Sequence, residues 1–333
     1  MKALFFAASF MASVLGATLP TFPPLASNLN KRGQSPDGTC GGPAGFTCSL
    51  ESNKCCSKWG WCGDSSEHCG IGCQSAFGRS PARVEPRACT NGKGKECGSA
   101  SPGQRPHIGN VPYGSWIYGC NKPGVVALTY DDGPWEHTSA LLDILKKNNV
   151  RVTFFVNGHN FGSPIDVDPT KTPLVKRMIN EGHQVASHSW RHENLANMNS
   201  VEITNEMARM EQYFTKTIGK YPTYMRPPYY SCDDGCMQTM STLGYHVINS
   251  NIDTKDFDHN TPATIQTSKD IFADSISAGI PANDGWIALA HDVHHTTVHS
   301  LTQHMINVFK QKGYTAATVG DCLNDPPSNW YRA

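Results

Sequence analysis

Four short apolar runs in this chain end in polar residues that a surface turn does not need. "VVALTY" leads into Asp131-Asp132-Gly133, and "QVAS" into His188 with His192 four residues on. "TYM" leads into Arg226-Pro227-Pro228-Tyr229, and "IALA" into His291-Asp292. Two further strand-like runs, "VRVTFFVNG" and "YHVIN", belong to the same series. Amphipathic stretches of helical period lie among them: "TSALLDILKKNN", "TPLVKRMINEG" closed by Gly182, and "SVEITNEMARMEQYFTKTIG" opened by Ser200 and closed by Gly219. "GCMQTMSTLG", "PATIQTSKDIFADSISAG" and "HSLTQHMINVFKQKG" continue the pattern. Alternation of this kind from about His107 to Cys322 predicts an α/β fold of parallel strands, a distorted (β/α) barrel. Such barrels place their chemistry where strands end.

The rest of the 333 residues read differently. "MKALFFAASFMASVLGA", residues 1–17, has one Lys and then an apolar stretch ending in small residues, as a secretory signal does. Its length falls short of the ~20 residues a bilayer needs. Residues 18–32 are Pro-rich and end in Lys31-Arg32, which suits a propeptide. No other long apolar run follows, so a membrane anchor is not expected. Lys plus Arg equals Asp plus Glu at 28 each, so no basic field favours nucleic acid. Oligomeric state is not readable.

Thirteen Cys in a chain with such a leader imply disulfides. Seven fall between Cys40 and Cys73, in a segment too poor in aliphatic residues to fold by burial alone. Residues 33–78 therefore read as a small stapled module whose indoles, Trp59 and Trp61, stand exposed for stacking on sugar rings. Residues 79–106, rich in Pro, Gly and Ser, read as a linker, and 107–333 as the large domain.

A lone H-x-x-x-H pair decides nothing, since His188 and His192 could sit on an ordinary helix. With a carboxylate from Asp131-Asp132 they make a three-ligand metal site with open positions for water or substrate. Zinc is expected from the ligand types, with cobalt or another divalent ion admitted. Adjacent Asp residues on a strand point to opposite faces, so the turn at Gly133 must bring both into one pocket. One can then hold metal while the other takes a proton, with Arg226 as its partner. His291 can protonate a leaving amine, with its ring oriented by Asp253 or Asp256. His294, His295 and His299 either line the cleft or are solvated, and the solvated reading is favoured.

Two resemblances sharpen this reading. "CCSKWGWCG" and the Cys spacing around it resemble the hevein-type chitin-binding module. That resemblance implies sugar contacts from Ser57, Trp59, Trp61 and His68, the last standing where the family usually has Tyr. It also implies pairing of Cys40 with Cys56, Cys48 with Cys62, and Cys55 with Cys69, leaving Cys73, Cys89 and Cys97 open. The motifs "TYDDG", "HSWRH", "RPPY", "DTKDF" and "LAH" resemble, in order, those of the polysaccharide deacetylase family of carbohydrate esterases. By that resemblance Asp131 is the general base, and Asp132, His188 and His192 hold the metal. Arg226 pairs with the base, and the Tyr229 N–H helps hold the oxyanion. His291 is the general acid, Asp256 tunes it, and Leu289 lines the acetyl pocket. Phe257 replaces the usual Trp of the fourth motif, which keeps an apolar wall and loses an indole N–H. Disulfides Cys232–Cys236 and Cys120–Cys322 are implied as well.

The function expected is a secreted, wall-associated chitin deacetylase acting on chitin and its oligomers. Acetylated xylan or peptidoglycan is the alternative substrate. A non-catalytic chitin-binding wall protein is the alternative from another class.

Overall fold

The structure, a computed structural model, describes residues 38–40, 46–48, 54–57, 60–63 and 105–333. The chain divides into two compact units, Met1–Cys97 and Gly98–Ala333. The leader, the propeptide segment and nearly all of the linker lie outside the described residues. So do Trp59, His68, Cys69, Cys73, Cys89 and Cys97.

In the first unit, β1 (Cys55–Cys56) pairs antiparallel with β2 (Cys62–Gly63). Cys40 bonds Cys56, and Cys48 bonds Cys62. Cys55 is also in a disulfide, but the expected partner Cys69 is outside the described residues. Buried sulfur stands in for an aliphatic core: Cys40, Cys48 and Cys56 pack as one cluster.

The second unit is built on one parallel sheet. Its strands are β3 (Trp116–Ile117), β4 (Val125–Asp131), β5 (Thr153–Val156) and β6 (Gln184–Ser187), then β8 (Tyr224–Met225), β9 (His246–Ile248), β10 (Ile252–Asp253), β11 (Trp286–His291) and β12 (Thr315–Ala316). The order across the sheet is β10-β11-β4-β5-β6-β8-β9-β3, with β12 pairing β4, and every pairing is parallel. The end strands β10 and β3 do not pair with each other, so the distorted barrel is an open half-barrel. A short antiparallel pair, β7 (Tyr221–Pro222) with β13 (Tyr331–Arg332), lies outside the sheet.

The helices are α1 (Thr138–Asn148), α2 (Lys171–Asn180), α3 (Ser200–Ile218), α4 (Asp234–Leu243), α5 (Ile265–Ala278), α6 (Thr302–Gln311) and the short α7 (Val319–Cys322). Alternation along β4 divides the core. Val126, Leu128 and Tyr130 pack with Leu141 and Leu145 of α1 and Met305 and Phe309 of α6. Val125 and Ala127 face the other way, onto Phe155, Tyr224, Ile287 and Trp330. A strand buried on both faces is apolar throughout, which is why "VVALTY" shows no polar alternation.

Two helix starts differ from expectation. Asn199, not Ser200, caps α3: its side chain accepts from the Val201 and Glu202 N–H groups, and Glu202 returns the bond in a capping box. The amide reaches both orphan donors while Ser200 is already helical. The "HSLTQ" stretch begins with a π-helical turn, Thr297–Leu301, before α6. Cys120–Cys322 joins segments 202 residues apart, and Cys232–Cys236 closes a loop of four. Packing extends back into the expected linker. Arg105 grips Glu211 through two bonds of 2.5 and 2.9 Å, and Arg332 donates to the Pro106 carbonyl. Among the described residues, no helix is long and apolar enough to cross a membrane.

Candidate active site

All four polar strand ends meet at one end of the sheet, because parallel strands deliver their C-termini to the same edge. They wall a cleft of about 380 Å³. Its backbone is contorted. Of the eight non-glycine residues with positive φ among the described residues, only Asn149 and Asn324 lie elsewhere; Asp132, Ser189, His192, Tyr229, Tyr230 and Lys255 all belong to cleft segments. Such conformations are costly and persist where the surroundings impose them.

Asp132 leaves β4 at φ +78°, which turns it to the same side as Asp131. Gly133 makes this turn possible. A Cβ there would come within 2.2 Å of the buried Asp292 carboxylate. His188 and His192 are not on a helix: both lie in irregular chain after β6, on either side of a bend at Trp190-Arg191. The Asp132 Oδ1 atom stands 3.0 Å from His192 Nε2 and 3.5 Å from His188 Nε2. It is buried and accepts no hydrogen bond, despite these short approaches. Three donor atoms converging without hydrogen-bond geometry is what lone pairs aimed at a shared cation produce. The residues therefore fit a divalent metal, and two imidazoles with one carboxylate suit zinc and its transition-metal neighbours. His188 Nδ1 lies 2.6 Å from the Arg226 carbonyl, so Nδ1–H donates there and Nε2 is left as the ligand atom. Burial pushes His188 down to about 4, against the pull of Asp131 and Asp132, which keeps the ring neutral. Burial alone would raise Asp132, but His192, His188 and His291 hold it well below the usual carboxylate range.

Asp131 is buried beside this cluster. Its Oδ1 accepts from Arg226 Nη1 at 2.8 Å, and its Oδ2 lies 3.8 Å from His188 Nε2. Arg226 is itself 1 % exposed, with its donors spent on Asp131, Thr129 Oγ1 and the Ile248 and Asn249 carbonyls, and its plane lies over Phe155. A guanidinium so fixed holds Asp131 in one orientation.

Across the cleft, His291 Nδ1 donates to Asp256 Oδ1 at 2.7 Å. Asp256 Oδ2 accepts from the His291 backbone N–H and from Thr297 Oγ1, each at 2.7 Å. The wide turn at Thr297 gives this hydroxyl its position. Burial opposes the charged ring of His291, yet Asp256, then Asp132 and Asp131, push it up to about 10. Asp253, the other orienting candidate, pairs with Lys255 instead.

Leu289 is buried in the cleft wall, and Phe257 stands edge-on to His291 with ring centroids 5.5 Å apart. The Tyr229 side chain is 67 % exposed beside His192, and its backbone N–H donates to no acceptor among the described residues. In the first unit, Trp61 is 53 % exposed, whereas Ser57 is buried, its Oγ accepting from the Trp61 N–H at 3.1 Å. Gly60 precedes Trp61 at φ +80°, and a Cβ there would lie 3.0 Å from the Cys40 carbonyl oxygen.

Two supporting residues escaped sequence reasoning, and a third, Asp292, was seen there only as part of a strand end, with no role given to it. Asn157 ends β5 as the other polar groups end theirs, and donates to the His188 and Ser189 carbonyls. That strand-end pattern was the available signal. Buried Glu206 of α3 accepts from the Arg191 N–H at 2.7 Å and from its guanidinium at 2.9 Å, which pins the bend before His192. Asp292 is wholly buried, bonded to Thr138 Oγ1 and pushed by burial up to about 7.

The family model for polysaccharide deacetylases matches residues 118–248, and that for a chitin recognition protein matches residues 39–78. A chitin deacetylase of Colletotrichum lindemuthianum is 47% identical over 224 residues, spanning 67% of this chain and 89% of that protein. This chain belongs to the polysaccharide deacetylase family. The solved structure of the chitin deacetylase from that fungal pathogen superposes with a TM-score of 0.65 at 46% identity, covering 67% of this chain and 97% of that one. A probable peptidoglycan-N-acetylglucosamine deacetylase of Arthroderma benhamiae is 45% identical, over 67% of this chain and 49% of that protein. The half-barrel of this deacetylase is thus preceded by a disulfide-rich chitin-recognition module.

Proposed function

We propose that this deacetylase is a secreted, metal-dependent hydrolase that removes N-acetyl groups from N-acetylglucosamine units of chitin. One observation carries the reading: a base held by Arg226 and an acid held by Asp256 flank the Asp132–His188–His192 cluster in a single cleft. A divalent cation held by those three residues supplies Lewis-acid polarisation of the acetamide carbonyl. Asp131, oriented by Arg226, accepts the proton of the attacking water. The Tyr229 N–H donates to the developing oxyanion. His291, charged through Asp256, gives its Nε2 proton to the glucosamine nitrogen as acetate leaves. Leu289 and Phe257 bound the acetyl group and the sugar face. General acid and base steps contribute typically ~10²–10⁴ each.

Chitin is favoured as substrate because the chain carries a match to a chitin recognition protein, with Trp61 exposed on the described part of that module. Trp59, His68 and Ser57 complete its sugar contacts in this proposal, Ser57 through the turn that presents Trp61. Tethering raises local enzyme concentration on an insoluble wall. Secretion is supported by the leader in residues 1–17, by Lys31-Arg32 and by the disulfides. A peptidoglycan substrate is the second reading, since relatives named for each polymer match at similar identity. Acetate release from chitin oligomers, acetylxylan and peptidoglycan, with chelator and then zinc add-back, tests all of this. The proposal requires chelator-sensitive release that is greatest on chitin; release only from another polymer, or release indifferent to chelation, overturns it.

A further inference from the structure

A second group of histidines lies outside the cleft machinery. His137 precedes α1, and His295 and His299 stand one turn apart in the helical stretch that follows β11. The fold brings them together across 158 residues of chain. Ring centroids are 5.2 Å apart for His137 and His295, 5.7 Å for His137 and His299, and 4.4 Å for His295 and His299. Three imidazoles around a tetrahedral ion, with metal–nitrogen bonds of about 2.0–2.1 Å, place their centroids about 5 Å apart. The candidate ligand pair His188 and His192 shows 5.0 Å. The surface trio is therefore already spaced as a tri-imidazole site requires.

We propose that His137, His295 and His299 form a second binding site for a divalent transition-metal ion, distinct from the Asp132–His188–His192 centre. In the rotamers seen here the three sets of ring nitrogens do not yet converge on a point, so the rings must turn about χ2 to close the site. Nothing opposes this turn: His295 and His299 are exposed, His137 is half-buried, and no ring nitrogen of the three hydrogen-bonds to another described residue. Mutual proximity also favours the neutral, ligand-competent form: partial burial, then His295 and His137, hold His299 below its ordinary value. An all-nitrogen, uncharged donor set selects zinc, copper or nickel over magnesium or calcium. Because no carboxylate contributes charge, this site binds more weakly than the catalytic one. It links the start of α1, which bonds Asp292 through Thr138 Oγ1, to the helical stretch before α6, so an ion there staples those two segments.

The test uses untagged, metal-stripped full-length protein and counts zinc by equilibrium dialysis and calorimetry. Wild type should take up two equivalents, and His295→Gln/His299→Gln one, with acetate release at one equivalent unchanged. Unchanged activity shows that the surface variant is folded. In His188→Gln/His192→Gln, one weaker equivalent should remain, and its binding should raise Tm; adding His137→Gln should abolish that rise. A single equivalent in wild type overturns the proposal, as do two equivalents that survive in the His295/His299 variant, or a thermal shift indifferent to His137. Complete loss of zinc from His188→Gln/His192→Gln would likewise overturn the second site while leaving the first standing.

Discussion

Replacing Asp256 by Asn removes one charge from beneath the proton that His291 must deliver. The amide oxygen of the new side chain can still accept from His291 Nδ1–H, and Thr297 Oγ1 can accept from the new N–H group, but the His291 backbone N–H loses its acceptor at that position. The ring keeps its Nδ1–H acceptor and the charge is lost; the lost backbone bond lowers the rate equally at every pH, so the pH dependence is what reports the charge. With Asp256 present, His291 is pushed up to about 10 against the downward effect of burial. An opposite charge at this range moves a pKa by about 1–3 units, so the variant ring should titrate near about 7–9. A group titrating at about 10 is about 99% protonated at pH 8, whereas one at about 7 is about 10% protonated. The rate loss from protonation alone therefore reaches about tenfold at pH 8 and vanishes near pH 6. A bound cation lowers both values, so the shift between them is the observable. The assay is kcat/KM for acetate release from chitin oligomers between pH 5 and 10. The alkaline limb should move down by at least one unit in the variant. Stability follows the same sign: a ring raised from 6.5 to about 10 contributes fully below 6.5, and the contribution is lost as pH rises through about 10. A uniform loss of rate with an unmoved alkaline limb would refute the role given to Asp256.

Other consequences are equally direct. Glu206→Gln puts an N–H where the Arg191 guanidinium and backbone need acceptors, so zinc affinity should fall about tenfold by competition with a chelating dye, while circular dichroism is unchanged. Replacing Cys120 and Cys322 by Ser opens a 202-residue loop and should cost about 2–4 kcal/mol, read as a fall in the urea midpoint, with m rising as the unfolded chain expands. Trp61→Ala should weaken adsorption to insoluble chitin at least tenfold and leave kcat/KM on soluble oligomers unaltered.

Much of the site was legible because parallel strands convert sequence order into spatial convergence. Each strand end carried its chemistry next to an apolar run, so Asp131, His188, Arg226 and His291 announced themselves locally. What stayed hidden depends on partners far away in sequence. Glu206 is one of several acids on α3, and nothing nearby marks it as the one buried beneath Arg191. Strands β3, β10 and β12 are two residues each, too short for a period, and they decide that the sheet stays open rather than closing. The capping of α3 turned on a choice between neighbours, Asn199 and Ser200, which only the backbone resolves. His295 and His299 looked like solvated residues because His137, which meets them, precedes the other side of a packed layer. The Asp131-Asp132 pair raised a question that the sequence posed and the positive φ of Asp132 answers.

The central claim is that one cation sits among Asp132, His188 and His192, within reach of Asp131. Anomalous diffraction from crystals of active protein, collected on both sides of the zinc edge, addresses it directly. The account predicts a peak bonded to Asp132 Oδ1, His188 Nε2 and His192 Nε2 at about 2.0–2.2 Å. Active crystals with no peak at that position, or with those three side chains turned apart, would contradict it.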